Sequence, residues 1–193
     1  MLKINTIEVA GIASALYALR LPFGKDCRSN VWTDFDYTDD AGLRFAFTET
    51  KSTICDKDLT LMSTLVRRGD EHAKAIRGII AYAEIEAPRF WWVEMDTYRI
   101  GSERLSSEST MHIQGKGMST EELVRMKSEL TEGTMQKRVQ YFSYQALRRI
   151  YIQRRNHRLP HWHIFCDWIK TLPLANELIL VGLNDSEGET NKG

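Results

Sequence analysis

Residues 79–98 constrain the fold of this chain more than any other part. Residues 79–86 alternate strictly, with Ile79, Ala81, Ala83 and Ile85 on one side and Ile80, Tyr82, Glu84 and Glu86 on the other. That is the period of a strand, whose successive side chains face opposite ways. Pro88 ends it. Residues 89–98 then supply Phe90, Trp91, Trp92, Val93 and Met95, apolar nearly all round a helix, and such a helix has to be buried. A strand feeding a buried aromatic helix places the chain among mixed α/β proteins.

The other segments add elements of both kinds. Residues 2–9 alternate with one irregularity, a strand, and small and apolar residues at 10–21 read as a helix stopped by Pro22. Residues 22–42 are rich in Gly, Asp, Asn and Thr and read as one long loop. Phe45 and Phe47 mark a strand at 44–50. Asp58 reads as the N-cap of a helix over 59–68 that Gly69 stops, and a short helix follows at 70–77. Residues 100–117 read as a Ser- and Gly-rich loop. Ser119 and Glu122 form a capping box for a helix to about residue 130. Val139, Phe142, Ala146, Ile150 and Tyr151 fall at helical spacing, which predicts the longest helix over 136–155. Another helix is expected at 161–172. The polar residues 184–193 are expected to be a disordered tail after a single domain spanning 1–183.

Bulk properties narrow the classes. The 193 residues suit one domain, and 42% apolar against 27% charged residues is an ordinary globular balance. No run approaches 18 uninterrupted apolar residues, and the first ten residues lack a signal-peptide core, so a cytoplasmic protein without a membrane span is expected. Cys27, Cys55 and Cys166 are odd in number and widely spaced. No C-x-x-C pair exists, which fits reduced thiols rather than a zinc ribbon. His157, His161 and His163 have no carboxylate neighbour before Asp167, so no metal site is expected.

Formal net charge is zero, yet no acidic residue occurs between 133 and 166, where Lys137, Arg138, Arg148, Arg149, Arg154, Arg155 and Arg158 stand. The remainder therefore carries −7. A basic segment of this kind fits a local anion site. It would also fit a solvated basic face that attracts phosphates or nucleic acid.

The segment from Phe90 to His112 runs from the aromatic helix into a loop dense with hydroxyls, with Arg99 and Arg104 inside it. Hydroxyls and a bidentate guanidinium are suited to gripping phosphate. At these residues the chain resembles the flavin-dependent thymidylate synthases, whose pattern is R-H-R-x-x-S-x-N-E-x-S-x-R-Y. Arg99 matches the second arginine and Ser102 the first serine. Thr97 and Tyr98 stand where the leading R-H belongs. A three-residue insertion brings Ser107 and Glu108 onto N-E, Thr110 onto the second serine and His112 onto the last arginine, with Ile113 in place of the tyrosine. Residues 144–154 resemble the later helix of that family, L-R-N-F-x-x-x-R, with Arg148 and Arg154 on its arginines. His72, in Gly-Asp-Glu-His, matches a region where the family contacts flavin. Trp91-Trp-x-Glu-x-Asp-Thr-Tyr98 and Phe165-Cys-Asp-Trp-Ile169 are similar to segments of its short, phage-type relatives.

The resemblance implies an antiparallel-rich central sheet flanked by helices, assembled as a homotetramer with ligands in grooves between subunits. It implies FAD as cofactor, dUMP as substrate, and methylenetetrahydrofolate and NADPH as co-substrates in reductive C5 methylation or a related alkylation. His72, Arg99, Glu108, Thr110 and His112 would then contact the cofactor. Ser102, Arg148 and Arg154 would contact the nucleotide, with Ser102 and Arg154 catalytic and Arg154 polarising the pyrimidine ring. A relative without catalysis, binding or sequestering a nucleotide, is the alternative implied by the altered motif. A nucleic-acid partner for the basic segment is a weaker third class, with a steep salt dependence as its mark.

Overall fold

The computed structural model describes residues 1–24, 30–37 and 45–183. Its centre is a four-stranded antiparallel sheet in the order β1-β4-β6-β5. The strands are β1 (Lys3–Ala10), β4 (Ile80–Pro88), β5 (Ser102–Ser107) and β6 (Met135–Ser143). A separate hairpin pairs β2 (Asn30–Tyr37) with β3 (Phe45–Thr53). Among the described residues the α-helices are α1 (Ile12–Arg20), α2 (Asp56–Arg67), α3 (Arg89–Met95), α4 (Thr110–Ile113), α5 (Thr120–Glu129), α6 (Tyr144–Arg154), α7 (Pro160–Lys170) and α8 (Ala175–Leu178). The α/β class and the antiparallel sheet flanked by helices are as the sequence reading expected.

The strand at 79–86 behaves as its alternation requires. Ala81, Ala83, Ile85 and Ala87 are fully buried, while Tyr82, Glu84 and Glu86 are half-buried. The small alanines let the aromatic layer lie close to the sheet. Trp91, Trp92, Trp162, Phe142 and Phe165 fill that layer, with ring centroids 4.9 Å apart for Trp91–Trp92 and 5.0 Å for Trp91–Trp162. Each such pair adds about 0.5–1.5 kcal/mol beyond the area it buries. The irregularity read in the first strand is a bulge between Thr6 and Glu8.

Five expectations need correction. The helix expected over 136–155 is two elements, strand β6 and helix α6. Its helical spacing is broken at Ser143, whose Oγ accepts from the Ala146 N–H and starts α6; before that point, Arg138, Gln140 and Phe142 share the buried face at strand period. The loop expected at 22–42 holds β2, whose Val31, Thr33, Phe35 and Tyr37 suit a strand. Residues 25–29 and 38–44 of that loop lie outside the described set. The loop expected at 100–117 holds β5 and α4; backbone pairing with β6 outweighs its polar composition. Asp58 does not cap α2. Cys55 occupies the N-cap position, and Asp58 is fully buried one turn in, paired with Arg20 of α1. The short helix expected at 70–77 is a 3-10 turn at Lys74–Gly78. The tail at 184–193 lies outside the described residues.

Gly11 joins β1 to α1 at φ +88°, and a Cβ there would lie 2.0 Å from the Gly78 carbonyl oxygen. Both the left-handed backbone and the contact exclude a side chain. Gly11→Ala is expected to lower unfolding free energy by at least about 2 kcal/mol. Urea denaturation followed by circular dichroism checks this, and an unchanged midpoint would refute the tight β1–α1 junction.

Candidate functional site

The C-terminal turn of α3 organises the basic part of the chain. Glu94 Oε2 accepts from Arg154 Nη1 at 2.8 Å and from Trp162 Nε1 at 2.9 Å. Arg154 Nε donates to the Tyr98 hydroxyl at 2.6 Å, and its guanidinium lies 4.5 Å from the Trp162 ring centroid. The bidentate use of Arg154 and its stacking are interactions that a lysine could not reproduce. One carboxylate thus joins α3 to α6 and α7, and the phenol of Tyr98 is held by the same guanidinium.

From Tyr98 the chain turns through Gly101, at φ +78°, where a Cβ would meet Ser143 Oγ at 2.4 Å. This turn delivers Ser102 to the inner face of β5. Ser102 Oγ donates to the Tyr98 carbonyl at 2.7 Å and accepts from Gln140 Nε2 at 3.1 Å. Both side chains are almost wholly buried. Gln140 Oε1 has no hydrogen-bond partner.

Beside them, Arg138 is 8% exposed, 4.3 Å from the Trp92 ring centroid, and donates from Nη1 to both Asp96 oxygens at 2.8 and 3.1 Å. Burial lowers the affinity of this guanidinium for its proton; Asp96 opposes that, and repulsion from Arg104 and Arg89 adds to it. An arginine nevertheless stays charged at neutral pH.

Two recesses open on either side of the Arg138–Asp96 bridge. The first, of about 370 Å³, includes Arg89, Val93, Thr110, Lys127, Arg138 and one carboxylate, Glu132, in its walls. The second, of about 510 Å³, includes Arg99, Ser102, Arg104 and Gln140 with the carboxylates Asp96 and Glu103, the latter bound by the Tyr141 hydroxyl. Among the described residues, no carboxylate pairs with Arg89, Arg99, Arg104 or Lys127. Cations left unpaired around a buried arginine attract an anion more strongly than exposed lysines do, because the low-dielectric wall focuses their field.

The residues singled out from sequence separate into groups. Arg99 and Ser102 lie together in the second recess and Thr110 lies in the first. Glu108 is on the rim, where its carboxylate accepts from the Lys137 N–H at 3.0 Å and continues the β5–β6 pairing. His112 and His72 are exposed, in α4 and after α2 respectively. Arg154 is bound into the Glu94 cluster. Arg148 is buried inside α6 and donates from Nη1 to the carbonyls of Ile179 (2.5 Å) and Val181 (3.0 Å), which clamps the chain after α8. Arg89, Lys127, Arg138 and Gln140 were missed as site residues. For the last two the signal was strand register: reading 136–143 as helix hid that Arg138 and Gln140 share one face.

The fold and these recesses define a class: an antiparallel α/β domain whose cations gather where an aromatic helix leaves the sheet. Among solved structures, the chain is similar to flavin-dependent thymidylate synthase ThyX from Helicobacter pylori in complex with FAD and dUMP. That match has a TM-score of 0.61 and 13% identity, covering 92% of this chain and 97% of the other. A second structure of that enzyme with FAD and dUMP gives 0.58 at 11%, over 93% and 97%. The UMP/dUMP methylase PolB from Streptomyces cacaoi, bound to 5-Br dUMP, gives 0.57 at 14%, over 92% and 94%. No protein-family model matches the chain, and no curated protein sequence does. The fold is therefore of the flavin-dependent thymidylate synthase type, as the motif resemblance implied. Among the described residues, no helix is long and apolar enough to cross a membrane.

Glu94→Leu removes the acceptor shared by Arg154 and Trp162 and leaves a partly buried guanidinium unpaired. A loss of about 2–4 kcal/mol in stability is expected, read by urea denaturation. Retention of full stability would mean that the cluster does not tie α3 to α6 and α7.

Proposed function

We propose that this chain binds a phosphorylated pyrimidine nucleotide of the dUMP type together with a flavin, in the two recesses beside Arg138. The observation that carries this reading is the set of unpaired cations, Arg89 and Lys127 on one side and Arg99 and Arg104 on the other. Guanidinium and ammonium donors around a recess of this size suit phosphate groups. Thr110 adds a hydroxyl in the first recess, and Ser102 lines the second. The likeness of the fold to enzymes solved with FAD and dUMP supports the same ligands.

FAD suits the second recess by donor chemistry: Arg99 and Arg104 face its phosphates, and the Ser102–Gln140 pair supplies neutral polar contacts. The reaction is reductive C5 methylation, with methylenetetrahydrofolate and NADPH as co-substrates, and bound flavin supplies the hydride chemistry. The chain's own part is to hold and orient. Lys127 and Arg89 stabilise negative charge on phosphate or ring. Arg154 holds Tyr98, and through it the Ser102 turn, rather than touching the pyrimidine directly.

The altered motif supports a second reading, a nucleotide-binding relative without catalysis. Glu94 and Tyr98 occupy Arg154, the arginine expected at the ring. Both readings share the site.

Assembly into a homotetramer is part of the proposal. Helices α4 and α5 contain no buried residue, while Met111, Ile113 and Val124 on them, and Met118 in the turn between, are exposed. A second subunit laid there would cover apolar surface at the rim of the first recess. A reduced, buried thiol at Cys166 suits the cytoplasm.

Purified protein is expected to be yellow or to take up FAD, and to bind dUMP by calorimetry. Lys127→Ala and Arg89→Ala should each weaken dUMP about tenfold, the loss of one charge-assisted contact. dUMP binding without flavin uptake would select the non-catalytic reading. No dUMP binding would refute both.

A further inference from the structure

The Ser102 hydroxyl has one proton, and that proton goes to the Tyr98 carbonyl at 2.7 Å. Toward Gln140, 3.1 Å away, Ser102 Oγ can therefore only accept, so the Gln140 amide must present Nε2 to it. The rotation of the amide is fixed by this relay, and Oε1 is turned away as an acceptor without a donor. Gln140 is 3% exposed and Ser102 6%. A buried acceptor left without a donor is unfavourable, and native structures keep few of them.

Gln140 lines the second recess, with Arg99 and Arg104 also in its wall. Arg104 stands opposite Gln140 in the β5–β6 register, so the two side chains share a face, and a bulge follows between Arg104 and Ser106. Arg104 is thus a long, exposed side chain beside Gln140, with no carboxylate partner among the described residues, on an edge strand that is already irregular. A fixed acceptor flanked by guanidinium donors is the complement of carbonyl, N–H, carbonyl. That sequence of groups is a cyclic imide.

We propose that Gln140 reads a ring imide N–H, the group shared by uracil-type bases and the flavin ring, and so decides which ring enters the second recess. Cytosine-type rings offer an acceptor at the matching nitrogen and are disfavoured. This rests on the nucleotide and flavin reading above and names the residue that selects the ring. Ser102 is a positioning residue here, acting through the orientation of the amide.

The test is calorimetric titration of the full chain with dUMP, N3-methyl-dUMP, flavin mononucleotide and its N3-methyl analogue. For the wild type, N3-methylation is expected to weaken one of the two pairs at least tenfold, and the pair that responds identifies the ring as pyrimidine or flavin. In Gln140→Leu that penalty should vanish while binding of the unmethylated ligand persists in weakened form. Ser102→Ala frees the amide to rotate and should shrink the penalty below threefold, which decides the matter if Gln140→Leu does not fold. A penalty that survives in full in either folded variant overturns the assignment, since it would then report crowding at the methyl group. Binding of all four ligands without any penalty overturns the inference and leaves the nucleotide reading standing. Binding of none overturns both.

Discussion

Glu94 accepts two hydrogen bonds, from Arg154 and Trp162, at the last turn of a helix of only seven residues. A helix that short has little stability of its own, and its place depends on what it packs against. Its apolar side is held by Trp91, Trp92 and Met95, all fully buried. Its polar side is held by Glu94. The carboxylate fixes where α3 ends, hence where Tyr98 lies, hence the direction in which the chain enters β5. Every group in the second recess descends from that geometry: Tyr98 orients Ser102, and Ser102 orients Gln140. A site built this way is placed by helices and strands rather than by a loop, which favours precise polar contacts.

Much of the architecture was legible because hydrophobic period and tertiary environment agree at β4, α3 and α7, and because the Ser119–Glu122 capping box marks the start of α5. The reading failed where two periods overlap. Residues 135–154 carry apolar groups at spacings that satisfy a helix across the whole stretch, yet the first nine pair as a strand with β4 and β5. Nothing local distinguishes the two until Ser143 is recognised as an N-cap. That single error concealed the site, since Arg138 and Gln140 share a face only at strand period. Polar composition misled in the same way at Ser102–Ser107. An edge strand keeps polar side chains because one of its sides is open to water.

The motif resemblance found the fold for a different reason, and two of its residues line the second recess. Arg99 and Ser102 flank the left-handed Gly101, where close packing on Ser143 leaves little room for change. Of the positions that follow, Glu103 to Ser107 are exposed, so packing constrains them less. Arg148 and Arg154 matched the later helix pattern, but the structure gives them internal partners. A pattern of residue types records that an arginine is present; it does not record which way its guanidinium faces. Arg148 spends its donors on the Ile179 and Val181 carbonyls, which would otherwise lack partners in a buried turn.

Arginines that tie elements of the fold together have carboxylate partners, while the cations lining the two recesses, Arg138 apart, have none among the described residues. Arg20, Arg138, Arg149 and Arg154 each have a carboxylate at hydrogen-bonding distance. Arg89, Arg99, Arg104 and Lys127 do not, and all four line the two recesses. Arg138 is the exception that joins the groups, because its partner Asp96 is half exposed at the mouth of the second recess. An entering phosphate would compete with Asp96 for the same donors. On the proposed reading, an anion would loosen one contact as it makes others, and part of the attraction would be spent in displacing a carboxylate already there. Asp96 meanwhile compensates the most buried of the cations at the recesses and holds Arg138 in place.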